Sequence, residues 1–118
     1  MKTGIEFIRQ ERSEQIEKHG FSLKKDAQYY KNGELLQAAI FCAEQARIKM
    51  LRDIIECTLW PAGWDAYFEL KIRNKSVIGQ LTCCGAFYLA EFDRTNEIEY
   101  YDMAYKIAHH IDSLISAF

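Results

Sequence analysis

Apolar residues recur at intervals of three to four along almost the whole chain, and Pro61 is the one proline. This spacing gathers apolar side chains on one face of an α-helix, whereas a half-buried strand needs strict alternation. Proline is the residue that helix interiors tolerate least, so long helices can run on either side of Pro61. The pattern therefore predicts an all-α protein.

Four long helices are predicted, over about residues 3–19, 32–57 and 76–94, and from 95 or 96 towards the C-terminal end. Thr3 and Glu6 have the spacing of a capping box, and Asn32 and Ser76 are N-cap candidates. Between the second and third helices, the aromatic-rich segment from Trp60 to Asn74 is expected to be irregular. The interpretation is an antiparallel bundle of four main helices.

The second helix carries apolar residues around most of its circumference, which is typical of a helix in the middle of a bundle. Four helices leave part of such a surface uncovered, so we expect a homodimer or a larger homo-oligomer. With 118 residues, 49% of them hydrophobic, residues 1–118 fit one compact domain.

Charge and composition narrow the function classes. The formal charge is −2, and the Lys and Arg residues are spread along the chain, which argues against a nucleic-acid partner. No apolar run reaches the roughly 18 residues of a membrane span, and the N-terminal stretch has no signal-peptide core, so we expect a cytoplasmic protein without a membrane partner. The cysteines, which lack C-x-x-C spacing, are interpreted as reduced core residues: Cys42, Cys57, Cys83 and Cys84.

Two charged residues lie on apolar helix faces. Glu91 falls on one line with Phe87, Cys84 and Gln80, so it either reaches water past the packed face or points into a pocket. Arg12 either extends its guanidinium to water or binds an anion.

A second inward carboxylate is Glu34, in the first turn of the second helix, where the helix dipole alone already favours a negative charge. If the second and third helices pair antiparallel, Glu34 and Glu91 lie at the same end of the bundle. Carboxylates on facing helices can hold Mg²⁺ or Mn²⁺, which in turn bridge phosphate oxygens.

Four stretches in order carry a family resemblance: "IRQERSEQIEKHGFS", "GELLQAAIFCAEQA", "WPAGW" and "GQLTCCGAFYLAEFDR". Together they resemble short phage and prophage proteins related to the MazG-like all-α nucleoside triphosphate pyrophosphohydrolases. The matching positions are Glu11, Arg12, Gln15, Gly33, Glu34, Leu35, Ala38, Ala39, Trp60, Pro61, Gly85, Ala86, Ala90 and Glu91.

The resemblance implies Mg²⁺-dependent cleavage of a nucleotide to the monophosphate and pyrophosphate, with Glu34 and Glu91 as catalytic metal ligands. Arg12 and Gln15 with Gln37 and Gln80 would assist at the substrate. Candidate phosphate contacts are Lys71, Arg73 and Lys75, and candidate base-stacking rings are Tyr30, Trp60 and Trp64.

The chain departs from the family at the metal ligands. The wider superfamily carries E-x-x-E on one helix and E-x-x-D on the next, whereas the matching positions here read Glu34-x-x-Gln37 and Val77-x-x-Gln80. The literal spacings Glu14-x-x-Glu17 and Glu99-x-x-Asp102 are interpreted as solvated faces. Two hypotheses follow: a nucleotide pyrophosphohydrolase, or a MazG-like fold without catalysis that binds nucleotides or assembles proteins.

Overall fold

A computed structural model of the chain describes residues 2–19, 32–52 and 58–117. This part contains five α-helices: α1 Gly4–His19, α2 Glu34–Leu51, α3 Ala66–Arg73, α4 Val77–Thr95 and α5 Ile98–Ser116. No strand occurs among the described residues, which confirms the all-α prediction. None of their helices is both long and apolar enough to cross a membrane.

The start of α1 confirms the predicted capping box, because the Glu6 N–H donates to the Thr3 hydroxyl and the Thr3 N–H donates to the Glu6 carboxylate. The predicted Asn32 cap of α2 is wrong. Gly33 occupies the N-cap with φ 82°, a left-handed conformation that favours glycine, and the Asn32 N–H donates to Glu34 Oε1 at 2.7 Å.

The second helix also ends earlier than predicted. Arg52 adopts φ 66° and its N–H bonds to the carbonyl of Ile48, which closes α2 after Leu51. Tyr30 and Cys57 lie outside the described residues.

The expectation of an irregular segment between Trp60 and Asn74 is wrong for its second half, which forms α3. The Asp65 carboxylate caps this helix by accepting the Tyr67 N–H at 2.9 Å. Phe68 and Ile72, one turn apart, are buried against the core. Eight residues with a good cap and two buried anchors are enough for a helix that tertiary packing supports.

The predicted Ser76 cap of α4 is confirmed, since its hydroxyl accepts the Gly79 N–H. The fourth predicted helix starts later than expected, at Ile98, because Asn96 takes the left-handed conformation (φ 59°) and ends α4. The Thr95 hydroxyl accepts the Glu97 N–H at 3.1 Å and so supports the turn between α4 and α5.

The central helix of the described bundle is α4, which packs against all four other helices. The predicted antiparallel pairing with α2 is confirmed, because Lys49 near the end of α2 donates to the carbonyls of Arg73 and Lys75 just before α4. On α2, by contrast, Ile40, Met50 and Leu51 are exposed. The described residues therefore leave one side of α2 uncovered, although the sequence predicts that this helix lies in the middle of the bundle.

Close backbone approach fixes α1 on the other side of α4. The Gly4 N–H donates to the Asp112 carboxylate at 2.6 Å, and a Cβ at Gly4 would collide with the backbone of Ala108. Further along α1, the buried side chain of Ile8 occupies the space that a Cβ at Gly85 would need. These two glycines let α1 lie close to both α4 and α5.

Candidate functional site

The Glu91 side chain is completely buried, so the alternative in which it reaches water is wrong. One carboxylate oxygen is paired with the guanidinium of Arg94, a turn later on α4. The other oxygen, Oε2, is buried and has no hydrogen-bond partner among the described residues. Within this part of the chain, Glu91 therefore uses one of its two carboxylate oxygens.

The two carboxylates predicted to share a metal have separate partners. Glu34 is partly buried at the start of α2 and accepts the Asn32 N–H, whereas Glu91 pairs with Arg94. Over the described residues, no three His, Cys, Asp or Glu side chains are grouped so that they could hold a metal ion. Mg²⁺ at Glu34 and Glu91 stays a prediction that this geometry does not support.

Arg12 is nearly fully buried, which makes the interpretation of a guanidinium extended to water wrong. Its Nε donates to the Asp93 carboxylate at 3.1 Å, so the anion that Arg12 binds is a side chain of the same protein. Gln15, one turn further along α1, is fully buried, and over residues 2–19, 32–52 and 58–117 neither its amide nitrogen nor its amide oxygen has a hydrogen-bond partner.

The other predicted substrate residues hold the segment around α3 in place. The Gln37 amide donates to the Leu59 carbonyl at 2.7 Å, and the Gln80 amide donates to the Ile72 carbonyl at 3.0 Å. The Trp60 ring lies among four aromatic rings of the core and its indole N–H donates to the Asp65 carbonyl. These three side chains therefore have structural partners.

Lys71 and Lys75, in contrast, face a common cleft of about 640 Å³ between α1 and α3. We call it the lysine cleft, and its described lining residues are Glu11, Glu14, Asp65, Tyr67, Phe68, Lys71 and Lys75. Arg73, which the sequence grouped with these lysines, instead pairs with Glu69 at 2.9 Å and lies over the Phe41 ring. The volume is in the usual range for small-molecule sites.

Glu11 is the most perturbed carboxyl group of this cleft. Only 8% of the residue is exposed, and its Oε1 accepts the Cys83 S–H at 3.0 Å. Burial raises the pKa of Glu11, and neighbouring Glu14 raises it further, while the Cys83 hydrogen bond and the charge of Lys75 act in the opposite direction. A buried carboxyl with a raised pKa in a cleft is a common feature of functional sites.

The cysteines beside Glu11 are confirmed as reduced core residues over the described part of the chain: Cys42, Cys83 and Cys84 are free and buried. Burial raises the pKa of each thiol, that of Cys84 to about 12. Thiolate chemistry is therefore suppressed at these positions.

No protein-family model, curated protein or solved structure matches the chain. The resemblance to MazG-like proteins thus rests on the sequence motifs, while the structure supports the coarser statement of an all-helical fold.

Sequence reasoning placed Lys71 and Lys75 in the site but missed the role of Glu11 and Glu14. A readable signal exists, because Glu11 follows the buried Ile8 by three residues and precedes the buried Gln15 by four. Glu14 was interpreted as part of a solvated face with Glu17. Glu17 is indeed exposed, but Glu14 is partly buried and lines the lysine cleft.

Proposed function

We propose that the chain is a MazG-like nucleotide-binding protein that holds the phosphates of a nucleoside triphosphate in the lysine cleft. The observation that carries this proposal is the placement of Lys71 and Lys75 in one cleft. Ammonium groups are compact charges that commonly bind phosphate. The Lys71 ammonium lies 5.3 Å from the centre of the Tyr67 ring, which helps to keep it at the cleft.

The acidic residues of the cleft are compatible with an anionic ligand. Glu11 and Glu14 would repel phosphate when both are ionised, but burial raises the pKa of Glu11, so Glu11 takes up a proton at a higher pH than a solvent-exposed glutamate does. A neutral carboxyl can donate a hydrogen bond to a phosphate oxygen. The cleft therefore offers two ammonium groups to the ligand and, once Glu11 is protonated, one acid proton, beside the Glu14 and Asp65 carboxylates that also line it.

The Glu11 and Glu14 pair also favours a second candidate function, pyrophosphohydrolysis. These carboxylates lie one turn apart on α1 and line the same cleft as the lysines. Carboxylate oxygens are the ligands that Mg²⁺ prefers, and a bound Mg²⁺ would stabilise charge on the phosphate oxygens. Two carboxylates suit a site in which substrate phosphates complete the coordination.

Thermal unfolding with and without nucleotides tests the binding proposal, because a ligand that binds only the native state raises the melting temperature. We expect nucleoside triphosphates to raise it and Lys75→Ala to reduce the effect. The hydrogen bond between Lys75 and Lys49 uses the backbone carbonyl of Lys75, so this substitution leaves it in place. Lys106→Ala, on exposed α5 surface, is the matched control.

An unchanged melting temperature with every millimolar nucleotide would refute the binding proposal. Pyrophosphate release with Mg²⁺ or Mn²⁺ tests the second candidate, and Glu11→Gln and Glu14→Gln should then abolish the release. Binding without any pyrophosphate release would leave the chain as a binding protein.

A further inference from the structure

A second cleft, of about 380 Å³, lies between α1 and the beginning of α4. It shares Glu11, Glu14 and Lys75 with the lysine cleft. Because the same three residues line both, the two clefts adjoin along α1, and we call them together the groove. We call the second part the phenylalanine cleft, after Phe7 on its wall.

The two parts of the groove differ in chemistry. The phenylalanine cleft has an apolar wall of Phe7 and Ile78, both only partly buried, and the exposed amide of Gln10 lies at its edge. In the lysine cleft, Phe68 is buried in the core and the Tyr67 ring already carries the Lys71 ammonium. The Phe7 ring also lies under an ammonium group, because Lys2 Nζ is 6.0 Å from its centre, but the adjacent Ile78 side chain makes this wall more apolar than that of the lysine cleft. An uncharged ring system is therefore better accommodated beside Phe7 and Ile78 than beside Tyr67.

Lys75 lies beside Glu11 and Glu14 where the two parts meet, and as the one cation among these three shared residues it sets the order of groups along a bound ligand. Phosphates next to Lys75 can extend into the lysine cleft towards Lys71, while the part of the ligand attached to the first phosphate enters the phenylalanine cleft. The Gln10 amide offers one acceptor and two donor hydrogens, which can pair with the edge of a heterocycle.

We infer that the phenylalanine cleft is the subsite for the nucleoside, with its base against Phe7 and Ile78, and that Lys75 holds the phosphate chain at the junction. This inference rests on the proposed nucleotide binding and adds to it the part of the groove that recognises the base. It also makes the ligand a whole nucleoside polyphosphate rather than a free polyphosphate.

Titration calorimetry with a nucleoside triphosphate and with inorganic triphosphate tests this assignment. Phe7→Leu keeps apolar bulk but removes the aromatic face, and base stacking on an aromatic side chain is worth about a tenfold change in affinity or more. We expect Phe7→Leu to weaken the binding of the nucleoside triphosphate by about tenfold and to leave the affinity for inorganic triphosphate unchanged. Phe92→Leu is the matched control, since Phe92 is a partly buried ring packed on Tyr101 and lines neither cleft.

A second variant keeps the test decisive if Phe7→Leu does not fold. Thr82→Tyr would fill the phenylalanine cleft from α4, where Thr82 is only partly buried, and should exclude the nucleoside while sparing inorganic triphosphate. Unchanged nucleotide affinity in these variants, or an equal loss for both ligands, would overturn the inference. Failure of the wild-type chain to bind either ligand would instead refute the proposed function.

Discussion

The crossing of α1 over α4 depends on the absence of a side chain at Gly85. We expect Gly85→Ala to destabilise the wild-type chain but to stabilise a variant in which Ile8 is replaced by alanine. A Cβ at Gly85 would overlap Cδ1 and Cγ1 of the fully buried Ile8. Overpacking of this kind costs about 1 to 3 kcal/mol, and the severe overlap places Gly85→Ala at about 3 kcal/mol. Replacing glycine by alanine inside a helix stabilises the protein by about 1 kcal/mol through helix propensity. The net loss in free energy of unfolding should therefore be about 2 kcal/mol.

The Ile8→Ala background removes the three atoms that lie nearest to a Cβ at Gly85. Ile8→Ala alone should destabilise the chain by about 2 to 5 kcal/mol, because it leaves a cavity. Adding Gly85→Ala there should stabilise by about 1 kcal/mol through helix propensity and by up to about 0.8 kcal/mol through the methyl group that enters the cavity. The coupling energy between the two positions is then about 3 to 4 kcal/mol.

Urea unfolding of the four chains of this double-mutant cycle, followed by circular dichroism, measures that coupling. Gly79→Ala is a control in the same helix, since the Cβ there would lie 3.1 Å from the Lys75 Cβ and outside the packed crossing. It should change the free energy of unfolding by about 1 kcal/mol or less. Equal destabilisation by Gly85→Ala in both backgrounds would refute the close crossing of α1 and α4.

Four further predictions follow from burial and charge. Arg94→Met should lower the free energy of unfolding by about 3 kcal/mol in urea titrations, because it leaves the buried Glu91 charge without its partner; no loss would show that Glu91 is not held as an ion. The Cys84 thiol, with a pKa of about 12, should resist alkylation at pH 8 in the native chain and react in urea, as read by peptide mass spectrometry. The raised pKa of Glu11 means that the native state binds its proton more tightly than the unfolded state, so ionising Glu11 costs stability as pH rises above about 4.5 towards the folded pKa. Glu11→Gln should therefore raise the urea midpoint more at pH 8 than at pH 4, and an equal effect at both values would contradict a desolvated Glu11. Light scattering should give at least twice the monomer mass, because apolar side chains of α2 are exposed in the single chain; a monomer at micromolar concentration would argue against the homo-oligomer.

Local signals in the sequence were sufficient for most of the helices. Thr3 with Glu6 and the Ser76 hydroxyl make the predicted caps, since these bonds join residues three positions apart. The end of α2 and the start of α5 were harder to predict, because each depends on a left-handed residue that is not glycine. Arg52 and Asn96 adopt this conformation, which a sequence pattern indicates only weakly.

The site was less predictable than the fold for a different physical reason. Helical periodicity indicates that Glu91 and Arg12 face inward, and both are buried. It does not indicate which neighbour each one meets, because that depends on how far one helix is shifted along another. Asp93 and Arg94 supply the partners, and both come from the end of α4, where the sequence places charged residues for several possible reasons.

Polar side chains that do not line the lysine cleft hold the backbone at the end of α3. Gln80 donates to the carbonyl of Ile72, and Lys49 donates to the carbonyls of Arg73 and Lys75, so α2 and α4 both bind the end of α3. These bonds add side-chain donors to carbonyls at the end of α3. They also fix the direction in which α3 ends, and therefore the placement of Lys71 and Lys75 at the cleft. An inward polar residue in a small helical bundle can thus contribute to ligand binding without touching the ligand, by fixing the backbone that carries the residues which do.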